Sequence, residues 1–222
     1  ELVKKEKKFL IVEPAKGEYK NVFGNDEEVY VFGTNSKISD LLKINPFAFP
    51  HEIHVLEHAD RLIEIFNVCW PMYAAMPAIL KDSVLQAYKV CGWDLESSEC
   101  AFNIPVYPSF KDVQMQIRNI LNSSDYSQDN KGDYTGALVT RINSLTNGIN
   151  GQIFTANEIS PQILFDENCI IDLSRIGSQE TKSLIMGLVV MKLNEYRMSC
   201  ANGNMNQRLK HVTVLEEAHN LL

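Results

Sequence analysis

The chain has 222 residues, 45% of them hydrophobic and 22% charged, with a formal net charge of −7 at pH 7 and a pI near 5.3. That length and composition describe a globular protein with one large domain, or a core carrying a sizeable subdomain. The acidic balance excludes a domain that coats nucleic acid by its own charge, and no apolar run approaches the roughly 18 residues of a membrane span.

Lys8-Phe-Leu-Ile-Val-Glu13 is a continuous apolar run, as expected of a strand buried on both faces of a parallel sheet. Pro14 stops it and Gly17 lies in the turn that follows. Glu28 to Gly33, with Val29, Tyr30, Val31 and Phe32, reads as a second strand. Asn45-Pro-Phe-Ala-Phe-Pro50 cannot be regular helix, and its prolines frame two exposed-looking aromatics.

From His51 the period becomes helical. Ile53, Leu56, Ala59, Leu62, Ile63 and Phe66 form a stripe that ends near Trp70-Pro71. Met76-Pro77 opens a second helix, closed by Gly92. Ser109 is the expected cap of a third, over Val113, Ile117, Ile120 and Leu121. Ser123 to Gly132 reads as polar loop, and Asp133 as the start of a fourth helix through Leu138, Ile142 and Leu145. The α/β pattern then resumes. Cys169-Ile-Ile-Asp-Leu173 is a short buried strand, Ser178 and Glu180 begin a long apolar helix, and Ala201 to Asn206 is a polar turn. His211-Val-Thr-Val-Leu215 is the last strand, and Glu216-Glu217 stands at its C-terminal edge.

Two further features bear on location and ligands. Cys69, Cys91, Cys100, Cys169 and Cys200 are odd in number and widely spaced without a CxxC pair, which fits reduced thiols. With no charged-apolar-small leader at the start, a cytoplasmic location and no membrane partner are expected. Lys4, Lys5, Lys7 and Lys8 form a basic cluster that solvates the entry to the first strand.

Several short motifs recur in an ordered set: Phe9-Leu-Ile-Val-Glu-Pro-Ala-Lys-Gly-Glu-Tyr19, Asn45-Pro-Phe47, His58-Ala-Asp60, Gly92-Trp-Asp94, Ile171-Asp-Leu-Ser-Arg-Ile-Gly177, Glu195-Tyr-Arg197 and Val214-Leu-Glu-Glu-Ala-His219. In this order the chain resembles the HerA–FtsK group of P-loop motor ATPases, particularly bacterial HerA-like proteins with a helical insertion. The resemblance implies an α/β, RecA-like P-loop core with a mostly parallel sheet. Residues 1–50 and 151–222 would form the core, the latter ending at the Walker B strand, and 51–150 the inserted helices. It further implies ATP and Mg²⁺ as cofactors, a homo-oligomeric ring such as a hexamer, DNA as the polymer moved or unwound, and a companion nuclease. A secretion or conjugation motor is the alternative within the group, and a non-catalytic packing or oligomerisation module the alternative outside it.

By the same resemblance Glu216 takes the position that holds Mg²⁺ through water, and Glu217 the position that polarises the attacking water. Glu13, Asp172 and Arg175 are the expected nucleotide-binding residues. Glu18 is equally an exposed acidic turn residue; Arg141 and Arg175 could reach a phosphate or a neighbouring subunit, but each reads first as a surface arginine. One departure matters. Such ATPases cradle triphosphate in a Gly-x-x-x-x-Gly-Lys-[Ser/Thr] loop, and no such string occurs here; Gly33-Thr-Asn-Ser-Lys37 lacks the second glycine. In the group that loop precedes the strand that Phe9 to Glu13 resembles. The chain therefore reads as a piece beginning after it and is expected to be inactive alone.

A rival site is weighed on spacing. His51, His54 and His58 fall at i, i+3, i+7 with Glu57 adjacent, but helical zinc ligands favour i, i+4, so no zinc is expected. Tyr30, Phe32, Phe47 and Phe49 read as core packing ahead of a base-stacking platform.

Overall fold

The structure, a computed structural model, describes residues 7–201, 209 and 211–218. Lys4, Lys5, the 202–206 part of the polar turn and His219 of the terminal motif lie outside the described residues. The chain forms two compact units, Glu1–Leu42 with Ile159–Leu222, and Lys43–Glu158.

The first unit is built on a sheet of five strands, all parallel: β1 (Lys8–Glu13), β2 (Val29–Gly33), β3 (Asp40–Leu41), β4 (Asn168–Asp172) and β5 (His211–Leu215), in the order β3-β2-β4-β1-β5. Parallel strands are apolar on both faces because both are covered. Accordingly Phe9 and Ile11 pack with Ile170 on one face, with Tyr19, Phe23 and Val214 against them. Leu10 and Val12 alternate with them and are fully buried. Among the described residues three helices complete the unit: α1 (Tyr19–Phe23) after β1, α7 (Pro161–Asp166) before β4, and α8 (Gln179–Ser199) after it, with a turn at 216–218 beyond β5. Ser178 caps α8 by accepting the N–H of Thr181 at 3.2 Å.

The second unit is helical: α2 (Val55–Cys69), α3 (Met76–Val90), α4 (Phe110–Ser123), α5 (Gln128–Thr146) and the short α6 (Asn150–Ile153). Ser109 and Asp112 form a reciprocal capping box at the start of α4. The exposed look of one segment is misleading, and one expectation fails here. Phe47 and Phe49 are not exposed: they are 0% and 6% accessible, packed edge-on against Tyr88, whose hydroxyl donates to Phe47 O at 2.6 Å. Asn45 to Ala48 forms a turn, with Ala48 N donating to Asn45 O at 3.3 Å, and the aromatic side chains turn inward. Nor is 123–132 all loop, because Ser127 accepts the N–H of Asn130 and starts α5 at Gln128, the sixth residue of the polar stretch and well before Asp133.

Candidate functional site

Because all five strands run the same way, their C-termini share one edge, where open parallel sheets bind ligands. β1 ends there at Glu13 and β4 at Asp172, and the two are register partners. On the other side of β1, Val12 pairs with Leu215, and the ladder runs one residue further as Glu216 N donates to Val12 O at 3.1 Å. Glu13, Asp172 and Glu216 are thus brought to three adjacent strand ends. Neighbouring strands lie about 4.8 Å apart, a spacing at which bare carboxylates repel.

The turn and first residues of α1 supply what offsets that repulsion. The Glu13 carboxylate, buried at 1% exposure, accepts the N–H groups of Glu18 at 2.6 Å and Tyr19 at 3.2 Å. Lys20 Nζ reaches Asp172 Oδ2 at 2.5 Å, and Ser174 N donates to Asp172 Oδ1 at 2.9 Å. The Tyr19 hydroxyl hydrogen-bonds Glu216. Three consecutive residues therefore each satisfy a different strand end or share in doing so. Gly17 makes the turn possible at φ +68, and a Cβ there would stand 2.8 Å from Ser174 Oγ and 3.3 Å from Asp172 Oδ1.

Electrostatics follow from these bonds. Burial pushes the Asp172 carboxyl up, but the bonds from Lys20 and Ser174 outweigh it and hold the group below the usual carboxylate range. Tyr19 is raised, first by its bond to Glu216 and then by burial. At the opposite end of β5, burial and the nearby Arg197 charge push His211 down to about 4.

Glu217 follows Glu216 and is exposed, with φ +50, a left-handed conformation uncommon for a non-glycine residue. Arg175 is exposed in the loop leaving β4, and Glu18 is exposed at the N-cap of α1, where its backbone rather than its carboxylate serves the site. Arg141 belongs to the helical unit and donates from Nη2 to Pro71 O at 3.4 Å. Sequence reasoning missed Lys20, Tyr19 and Ser174. The available signal was a lysine and a tyrosine just past Gly17, at the exit of a strand ending in an acid.

The histidines do not converge. His58 is fully buried, with Nε2 3.1 Å from Pro46 O and its ring against Phe49. His54 is the N-cap of α2, its Nδ1 accepting from Leu56 N at 3.2 Å and its Nε2 lying 3.2 Å from Glu96 O. Among the described residues no group of three or more His, Cys, Asp or Glu side chains is placed to hold a metal ion. Tyr30 and Phe32 stack on one another with ring centroids 6.2 Å apart.

Neither a protein-family profile nor a curated protein matches the sequence. Among solved structures, VirB4 of Thermoanaerobacter pseudethanolicus aligns with all of this chain and 80% of that one, at 18% identity and a TM-score of 0.63. The chain has that fold, an α/β RecA-like P-loop core with an all-parallel five-stranded sheet.

Proposed function

We propose that the chain is part of a P-loop motor ATPase of the HerA–FtsK superfamily, of the secretion or conjugation type. The observation that carries the reading is the likeness to VirB4 over the whole chain, which includes the sheet edge where Glu13, Asp172 and Glu216 meet. It favours this branch over the HerA-like DNA translocase that the sequence motifs suggest. Assembly into a ring, a DNA or DNA–protein cargo and a companion nuclease remain parts of the proposal that rest on resemblance.

Within this reading Glu216 and Glu217 divide the work. Magnesium usually keeps several waters and binds one or two carboxylates plus substrate phosphates. A half-buried carboxylate held by the Tyr19 hydroxyl fits that demand as a single oriented oxygen donor. When bound, Mg²⁺ with ATP supplies charge neutralisation at the phosphates. Glu217, exposed one residue further, polarises water. Glu13 does not contact nucleotide in this account: it fixes the α1 turn through two backbone bonds, and Lys20 holds Asp172 beside it.

The test is Glu217→Gln in the phosphate-loop-bearing subunit that the reading requires. The amide keeps shape and loses charge, so ATP binding should persist while turnover falls by about 10²–10⁴-fold. Near-normal turnover would remove Glu217 from the chemistry. Translocation of protein or of a DNA–protein complex, as against bare DNA, separates the secretion reading from the HerA-like one.

A further inference from the structure

In the helical unit the chain after α3 folds back on itself and is fastened at several points. Ala101 N donates to Gly92 O at 2.8 Å, Trp93 Nε1 to Val106 O at 2.7 Å, and the Tyr107 hydroxyl to Phe49 O at 3.0 Å. The Asp94 carboxylate accepts the N–H groups of Glu96 and Ser97 at 2.9 and 2.8 Å and the Ser97 hydroxyl at 3.1 Å. Between these fastenings large apolar side chains face water: Phe102 is 55% exposed, Ile104 82% and Val106 45%, with Val90 at the end of α3 at 68%. Single exposed apolar residues are ordinary, but three at alternate positions of one tethered segment are not. Turning them inward would break the backbone bonds that hold the segment. The exposed carboxylates of Asp94, Glu96 and Glu99 line the same fold-back, and Lys89 is the one basic residue from 89 to 107.

We propose that this acid-edged apolar ridge is a docking surface for a partner protein segment that presents apolar side chains between lysines or arginines, as one face of a basic amphipathic helix does. Charge selects this occupant. A second copy paired about a two-fold axis would set Asp94, Glu96 and Glu99 against themselves. An anionic bilayer and nucleic acid are repelled by the same acids. The whole unit leans the same way, with thirteen acidic and eight basic residues between Lys43 and Glu158. The surface stands independently of the nucleotide reading.

The probe is a labelled synthetic helical peptide with one leucine face flanked by lysines, followed by fluorescence anisotropy, beside a twin carrying glutamate in place of lysine. The lysine peptide should bind and the glutamate twin should not. Ile104→Ser should weaken binding by about tenfold or more, the effect of losing one well-buried aliphatic contact. Glu96→Lys with Glu99→Lys should weaken it further and flatten its salt dependence. The same charge change at exposed Asp129 and Asp133 should leave binding unaltered, and circular dichroism should show every variant folded. Equal binding by Ile104→Ser, equal loss from the Asp129 and Asp133 changes, or equal binding of the glutamate twin would overturn the proposal. So would self-association abolished by Ile104→Ser, or sedimentation of the chain with phosphatidylserine vesicles.

Discussion

Replacing Lys20 with Met removes an ammonium while keeping most of its stem. In the structure Nζ lies 2.5 Å from Asp172 Oδ2, with the two side chains 18% and 5% exposed. At that burial the figure of under about 1 kcal/mol for surface pairs does not apply. Removing one partner of a fully buried pair costs about 3–5 kcal/mol. The residual exposure of Lys20 and the bond that Ser174 N keeps with Asp172 move the expectation to about 2–3 kcal/mol. The pH dependence is the sharper signature. In the native protein the Asp172 carboxyl is held low, so its contribution is present above the unfolded value of about 3.9 and is lost as pH falls through the depressed folded value. Without Lys20, burial is opposed only by the bonds from Ser174, so the folded carboxyl titrates higher than in the native protein. The penalty is therefore full at neutral pH and shrinks as pH falls toward about 4, where the carboxyl of the variant takes up its proton before that of the native chain. Urea unfolding of the native chain, Lys20→Met, Asp172→Asn and the double variant, at neutral pH and near pH 4, measures both effects. The double variant should be more stable than Lys20→Met, because no buried charge is left without its partner. A loss at neutral pH below about 0.5 kcal/mol, or one unchanged near pH 4, would refute the reasoning.

Gly17→Ala should destabilise the first unit by at least about 1 kcal/mol, since it strains a positive φ and crowds Ser174 and Asp172; urea midpoints within error of the native value would contradict this. His211 is pushed down to about 4, so the unfolded chain binds its proton first and stability should fall as pH drops from about 6.5 toward 4. His211→Gln should flatten that slope in a denaturant series taken across the range, by less than the full shift implies because the side chain is half-exposed. Calorimetric titration of Mg·ATP into the 222-residue chain should show no saturable binding tighter than about 10 μM, roughly 7 kcal/mol. No phosphate-cradling string is present, and the Lys20 ammonium at the strand ends is already paired with Asp172.

β1 and β4 were legible because they are buried almost throughout and follow their apolar runs, and β5, half-buried, because it is short and rich in β-branched residues. The caps at Ser109 and Ser178 were legible for a local reason, a hydroxyl just ahead of a helical period. Phe47 and Phe49 look exposed between their prolines, and the core packing also read for them holds because Tyr88 and His58, from α3 and α2, cover them. The first turns of α5 were hidden by their solvent-facing composition, where no apolar stripe announces a helix. At the sheet edge the acids themselves could be found, each at the end of an apolar run. Their partners could not, because the match of Lys20 to Asp172 arises from the register between β1 and β4, which no local pattern encodes.

The strand order also constrains how the protein comes into being. β1 and β2 are made early, yet they do not touch: each pairs with β4, which sits between them and is synthesised only after the whole helical unit. The helical unit is dominated by neighbours in sequence, α3 with α4 and α4 with α5, and such local arrangements assemble quickly. During translation, then, residues 43–158 have what they need to fold while β1 waits with both backbone edges unpaired. An apolar strand in that position is vulnerable to wrong partners. Slowing the ribosome between Glu158 and Asp172 should prolong that interval and raise the demand for chaperones, whereas slowing it within the helices should not.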